Sequence, residues 1–355
     1  MPSPLIEIQP YDREFYESRL RDFLPGQIVD IHTHVWRQAR EVRRPGPESR
    51  TVTWPARVAA CNPVEDLLET YRLMLPGKTV TPTIFANPTE GEPLDAQNRY
   101  VAEAAAAHSL PSLILARPDW SAAELEQRIL AGGFLGVKVY LTYAPSHIPA
   151  SEIRIFDFLP PHQLEMLDRH GWIVMLHIPR PGRLRDAVNL AQLMEIERRY
   201  ANLRTIVAHV GRAYCIEDVG EALEVLADTE RLLFDISANT NAEVFDRLLK
   251  TFPPRRILFG SDMPVLRMRM RRICENGRYV NLVPKGMYGD VSGDPNMREV
   301  EGSEAGRLTF FLYEEIDAFR RAAEANALTR ADIEDVFFRN ANRVIDAAKA
   351  GATGP

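Results

Sequence analysis

The chain has 355 residues, 45% of them hydrophobic and 26% charged, with a formal net charge of -6 and a pI near 5.8. This balance suits a globular protein with a sizeable core, in one large α/β domain or two smaller ones, and it carries no electrostatic footprint for nucleic acid or an anionic membrane. The cysteines Cys61, Cys215 and Cys274 are odd in number, widely spaced and without a Cys-x-x-Cys, which argues against a disulfide framework and a thiolate zinc site and fits a reducing cytoplasm.

Met1 to Tyr16 mixes Glu7, Asp12, Arg13 and Glu14 with prolines and lacks the apolar core of a secretory signal; residues 1–26 read as an N-terminal extension. No apolar run approaches the ~18 residues that a membrane-spanning helix requires. Short β-branched or apolar runs then recur near 27–32, 80–85, 112–116, 134–140, 172–177, 204–208, 231–236 and 256–260. Between most of them lie stretches of helical period: Leu94 to His108, Ser121 to Ala131, Pro160 to His170, Leu184 to Tyr200, Ile216 to Asp228 and Ala242 to Lys250. Alternating strand and helix predicts a parallel sheet, and eight repeats predict a closed (β/α)₈ TIM barrel, an α/β fold, over residues 27–347 with a frayed tail over 348–355. Ser121 with Glu124 forms a capping box, and Gly132-Gly133 and Gly171 stop helices. Two connections, Val35 to about Cys61 and Met263 to about Gly302, are far longer than a strand-to-helix loop needs; the second is expected to be a partly ordered lid jointed at Gly277, Gly286, Gly289 and Gly293.

Several of the strand runs end in a histidine or an aspartate. The first, Val29-Asp30-Ile31-His32-Thr33-His34, ends in a His-x-His pair; the others end at His177, His209 and Asp262. Residues two apart in a strand share a face, so His32 and His34 can reach one metal ion together. Neutral imidazole and carboxylate are ligands that zinc and its divalent neighbours accept, and three or four of them with an open position make a catalytic site. One histidine at a strand end is more often structural than a ligand, but a coincidence of four is harder to dismiss. The remaining histidines, His108, His147, His162 and His170, have no such framing.

His32-Thr33-His34, Lys138 in Gly136-Val137-Lys138-Val139-Tyr140, His177, His209 and Asp262 in Gly260-Ser261-Asp262-Met263-Pro264 stand in the order of the amidohydrolase superfamily. Over residues 27–347 the chain resembles its amidohydrolase-2 branch, metal-dependent TIM-barrel enzymes related to aminocarboxymuconate semialdehyde decarboxylase. The resemblance implies one divalent metal, zinc first and manganese second, held by His32, His34, His177 and Asp262. It implies His209 and Asp262 as the catalytic acid/base groups. Lys138 would be either a carboxylated bridge between two metals, as in binuclear relatives, or a charge for substrate oxygens; we favour one metal.

Arg180 and Arg212 lie three residues beyond His177 and His209, Tyr140 shares the face of Lys138, and Arg267 begins the basic run Arg267-Met268-Arg269-Met270-Arg271-Arg272. With Trp36 as a pocket wall, these are the candidate substrate-binding residues, and arginine's planar fork suits a carboxylate. The same run reads equally well as a solvated or oligomer-contact face. Two reaction classes fit the ligand set: hydrolysis of a small anionic amide or lactone through a metal-activated water, and non-oxidative decarboxylation of a small aromatic or unsaturated acid. The motifs around Asp262 and His34-Val35-Trp36 are similar to lactone-hydrolysing relatives and tilt the expectation to hydrolysis. A non-catalytic scaffold is disfavoured, because the buried polar cluster would then be costly. The expected partner is a small carboxylate-bearing substrate, with no nucleic acid and no membrane, in a homo-oligomer.

Overall fold

The computed structural model describes residues 5–37, 50, 55–87 and 93–352. Eight short parallel strands form its centre: β1 (Gln27–His34), β2 (Thr79–Phe85), β3 (Ile114–Leu115), β4 (Gly136–Val139), β5 (Ile173–Leu176), β6 (Arg204–Val207), β7 (Leu233–Asp235) and β8 (Ile257–Leu258). β1 pairs with β2, and β3 to β8 pair in sequence order. Bridges from Ile84 to Ser112 and from Thr33 to Met263 join the two runs. The Ile31 N–H donates to the Phe259 carbonyl (3.1 Å) and the His34 N–H to the Met263 carbonyl (2.8 Å), so the sheet closes on itself as a (β/α)₈ barrel. β3, β5 and β8 are wholly apolar rather than alternating because helices cover the outer face while side chains fill the interior; all four residues of β5 are fully buried.

Local chemistry sets the helix ends as expected. The Ser121 hydroxyl accepts from the Glu124 N–H (3.1 Å) at the start of helix Ala122–Gly132, and Gly133 ends it in the left-handed region. Gly171 does the same after helix Pro161–His170. The last helix, Asn340–Ala352, runs past the point where a frayed tail is expected, and Ala348 is buried in the core. At the other end Phe15, Tyr16, Leu20 and Leu24 are buried. The buried Asp12 carboxylate accepts from both terminal nitrogens of Arg269 (2.8 and 2.6 Å) and from Thr309 Oγ1 (2.7 Å), which ties the N-terminal segment to the chain beyond β8.

The long segment after β8 differs from the expected lid. It folds as a sheet of β9 (Arg269–Glu275), β10 (Arg278–Pro284), β11 (Met297–Val300) and β12 (Thr309–Phe310), in the order β11-β10-β9-β12. β9 and β10 make a two-residue hairpin in which Asn276 and Gly277 both take positive φ, 52° and 71°. That is the turn for which Asn-Gly is preferred, so Gly277 is a fixed turn residue and not a flexible joint. The hairpin also corrects the reading of the cysteines. Cys274 on β9 is joined by a disulfide to Cys215 in the loop after β6, with Cα atoms 5.9 Å apart across a sequence separation of 59. Two cysteines this far apart leave no spacing signal, and the cysteine count therefore no longer speaks for a reducing compartment. Much of the connection after β1, 38–49 and 51–54, lies outside the described residues; at its base Trp36 and Asn62 exchange backbone hydrogen bonds of 2.9 and 3.0 Å. Among the described residues no helix is long and apolar enough to cross a membrane.

Candidate active site and metal centre

β1 turns the rings of His32 and His34 to one face, with centroids 5.6 Å apart. Asp262, just beyond β8, is swung toward them by a positive φ of 58° while its N–H donates to the His32 carbonyl (2.8 Å). Gly260 permits this approach: a Cβ there would stand 2.8 Å from the His32 Cβ. As a result, donor atoms of His32, His34 and Asp262 all lie within 4.8 Å of one another. Asp262 Oδ1 is 3.1 Å from His34 Nε2 and 3.5 Å from His32 Nε2.

The outer nitrogen of each ring is held by a hydrogen-bond acceptor. His34 Nδ1 donates to the Ala86 carbonyl (3.1 Å), and His32 Nδ1 donates to Asp235 Oδ2 (2.9 Å). Both inner Nε2 atoms are thereby left as lone-pair donors, the tautomer a metal ligand needs. Burial lowers both imidazoles, and with help from the nearby Lys138 charge it takes His32 down to about 3, so both are neutral. Burial alone would raise the Asp262 carboxyl; its hydrogen bond to His34 outweighs that and holds it below the ordinary carboxylate range. Two neutral imidazoles and one ionised carboxylate are a donor set that fits a divalent ion.

His209 stands at the start of an unusual turn. It, Val210, Gly211 and Arg212 all have positive φ (57°, 47°, 61° and 61°), a left-handed turn that costs non-glycine residues about 1–2 kcal/mol each. Asp235 Oδ1 accepts the His209 N–H (2.8 Å), and His209 Nδ1 lies 3.1 Å from the Ser237 carbonyl and 2.8 Å from Ser237 Oγ. The ring packs 4.8 Å from that of His32 and 5.4 Å from that of His177. His32, His209 and Asp235 form a second group of three close donors. His177 belongs to neither group. Its Nδ1 is buried without a hydrogen-bond partner among the described residues, an orphan that a site ligand would satisfy. Burial first, and then the Arg212 charge, push it well below the ordinary histidine range.

Lys138 is fully buried, with Nζ 3.2 Å from His32 Nε2, 5.3 Å from the Phe85 ring centre and 4.9 Å from that of Tyr140. It makes no ion pair among the described residues, and burial lowers it to about 8. Tyr140 OH lies 3.2 Å from His34 Nε2. The expected arginines are more dispersed. Arg180 pairs with Asp186 (3.0 Å) and donates to the Glu152 carbonyl. Arg212 Nη1 donates to the carbonyls of Ile178 and Pro179 (3.2 and 3.0 Å), next to His177. Arg267 is buried against Asn62, which itself donates to the His34 carbonyl (2.6 Å); Trp36 is buried and donates to the Ala60 carbonyl (3.0 Å). These last two brace the chain at the C-terminal end of β1.

Asp235 and Ser237 were not among the residues expected from the sequence, nor was Asp30, whose carboxylate accepts from the His32 and Ser261 N–H groups and from Tyr71 OH (2.6 Å). Burial raises Asp30 to about 7. Asp235 was within reach of sequence reasoning, since Leu232-Leu233-Phe234-Asp235 is another apolar run ending in an aspartate.

The amidohydrolase family model matches residues 29–272. No curated protein matches the chain in sequence. Among solved structures, a probable 2-pyrone-4,6-dicarboxylic acid hydrolase from Acinetobacter baumannii with citric acid bound is 15% identical, covers 90% of this chain and 99% of its own, and superposes with a TM-score of 0.52. A 4-oxalomesaconate hydratase from Rhodopseudomonas palustris is 16% identical, with 91% and 97% coverage and a TM-score of 0.55. A dihydroxybenzoic acid decarboxylase from a Polaromonas species, with bound manganese and the inhibitor 2-nitroresorcinol, is 14% identical, with 91% and 97% coverage and a TM-score of 0.53. These likenesses establish a shared fold across hydrolase, hydratase and decarboxylase, and with the family match over most of its length the chain belongs to the amidohydrolase family, in the amidohydrolase-2 branch of metal-dependent TIM-barrel enzymes.

Proposed function

We propose that this protein is a metal-dependent hydrolase of a small anionic amide or lactone. The observation that carries the reading is the grouping of His32, His34 and Asp262, with donor atoms within 4.8 Å of one another, beside which Asp262, ionised, and His209, neutral, start as bases. Hydrolysis needs a base first, to take a proton from water as its oxygen adds to the carbonyl carbon. Decarboxylation needs an acid, to protonate the carbon that loses carbon dioxide.

His32, His34, Asp262 and the orphaned His177 would hold one divalent ion, with zinc the first candidate and manganese the second. When bound, such an ion polarises a carbonyl oxygen and makes water acidic enough to react at neutral pH. The chain's own groups do the rest. Asp262 accepts the proton from the attacking water; His209, whose Nδ1 is engaged by Ser237, has Nε2 to relay that proton to the departing nitrogen or oxygen as the C–N or C–O bond breaks. Lys138 and Tyr140, converging on the His32 and His34 rings, would hold the substrate's charged oxygens. One feature favours decarboxylation as the second reading. Lys138 is a desolvated ammonium lowered to about 8, a proton donor in surroundings suited to losing a carboxylate.

Metal analysis of protein purified without chelator, followed by a panel of lactones, amides and aromatic acids, tests the reading. We expect about one equivalent of metal per chain and turnover of a lactone or amide. Release of carbon dioxide from an aromatic acid with no hydrolysis would replace it by the second reading, and a metal-free active enzyme would remove both. Sedimentation of the same preparation tests the homo-oligomer we include in the proposal.

A further inference from the structure

Beyond the ligand set, the His177–His209 side of the site is bordered by a cluster built from three separate elements. Arg183 comes from the turn after β5, Arg212 and Tyr214 from the loop after β6, and Arg272 and Tyr279 from the β9–β10 hairpin. The two tyrosine rings meet edge to face at 5.1 Å, and Tyr214 stands 6.4 Å from the His209 ring. The Arg272 guanidinium lies 4.8 and 4.4 Å from the centres of Tyr214 and Tyr279, and that of Arg183 lies 5.2 and 5.1 Å from the same rings. Two cations therefore lie over one pair of aromatic rings, and the Arg212 charge interacts with both rings and with Arg183.

Their charge is poorly compensated. Among the described residues Asp218 alone pairs with any of the three, through Arg183 Nη1 (2.5 Å). Glu315, fully buried, lies near enough for its field to act on Arg272 but makes no ion pair with any of the three among the described residues. Arg212 spends Nη1 on carbonyls, and Arg272 spends Nε on Asn281 (2.8 Å) and Nη1 on the Ala238 carbonyl (2.5 Å), which aims the guanidinium planes without neutralising them. Like charges gathered in a half-buried setting repel unless an anion joins them, and guanidinium on an aromatic face is well made for a planar carboxylate. The Cys215–Cys274 disulfide holds the loop bearing Tyr214 to the strand bearing Arg272. Tyr279 lies beyond the stretch that matches the family model.

We propose that Arg183, Arg212 and Arg272, with Tyr214 and Tyr279, form an anion subsite that takes a second carboxylate of the substrate and so selects dicarboxylic over monocarboxylic substrates. This rests on the reading that the substrate is a small anion held near Lys138, and it extends that substrate to one carrying a negative group at each end of the site.

The test measures binding, not turnover, so it stands whichever reaction the enzyme performs. Metal-loaded protein is titrated calorimetrically with benzene-1,3-dicarboxylate and with benzoate. The dicarboxylate is expected to bind the wild type more tightly by about ten- to a hundredfold, the range for one added charge-assisted contact. Arg272→Met should remove that advantage and leave benzoate unchanged, Arg272→Lys should restore part of it, and Arg183→Met, on a different element, should repeat the selective loss. Equal weakening of both acids, or of neither, in folded and metal-loaded variants would overturn the subsite. If the wild type bound neither acid, the anionic-substrate reading itself would fall along with it.

Discussion

Replacing Asp235 with asparagine is expected to weaken metal binding by about 10- to 100-fold, or roughly 1.4 to 2.7 kcal/mol, although Asp235 is not proposed as a ligand. Its Oδ2 accepts from His32 Nδ1 at 2.9 Å, while Oδ1 collects the N–H groups of His209 (2.8 Å) and Ser237 (3.1 Å) and the Ser237 hydroxyl. Both oxygens are therefore acceptors. Asparagine has only one. If its oxygen keeps the three donors on the Oδ1 side, its amide group faces His32 Nδ1 and drives the imidazole proton to Nε2, the nitrogen turned toward Asp262 and the metal. If it flips, the amide confronts three donors and the His209 turn loses its anchor. In either orientation the inner lone pair of His32 or the backbone beside it is disturbed. Competition with a chelator at pH about 7 would read the affinity, and circular dichroism would confirm the fold. A folded Asp235→Asn protein with wild-type affinity would show that Asp235 does not set the His32 tautomer.

His209→Asn should retain the metal and lose about 10²- to 10⁴-fold in kcat, because it removes a proton relay and no ligand; full turnover in the purified variant would take His209 out of the mechanism. In the metal-free protein, burial depresses His32, His34, His177 and His209 below the ordinary 6.5, so below that pH the unfolded chain binds protons that the native one refuses. Asp30, raised to about 7, and Glu315 act oppositely, contributing stability at low pH that is lost as pH rises through their native values. Four groups outweigh two, so the unfolding free energy from urea titration should fall between pH 6.5 and about 4.5 by about 1.4 kcal/mol per pH unit for each net proton, and a free energy that rose on acidification would contradict this balance. Cys274→Ser should cost about 4 kcal/mol, the loop-closure entropy for a separation of 59 residues; a melting temperature indifferent both to the substitution and to reductant would show that the bond carries no such weight.

Some features of this protein could be read directly from the order of its residues. Unbroken apolar runs alternating with helical period predict a barrel because each strand and each helix buries its own side chains locally, and Ser121, Gly133 and Gly171 end their helices through backbone chemistry that spans a few residues. His32 and His34 were legible for the same reason: a strand's period of two puts both on one face before any tertiary contact forms. Asn276-Gly277 is equally local, yet the length of the segment and its spaced glycines read as a lid when no tertiary contact is in view. The tertiary structure alone decided which residues meet at the mouth of the barrel. Asp235 reaches His32 across a sequence separation of 203, Cys215 finds Cys274 across 59, and Arg272 rather than Arg180 comes to lie over Tyr214. Those pairings depend on how strand ends and the hairpin are brought together when the sheet closes, and no short-range pattern records that closure.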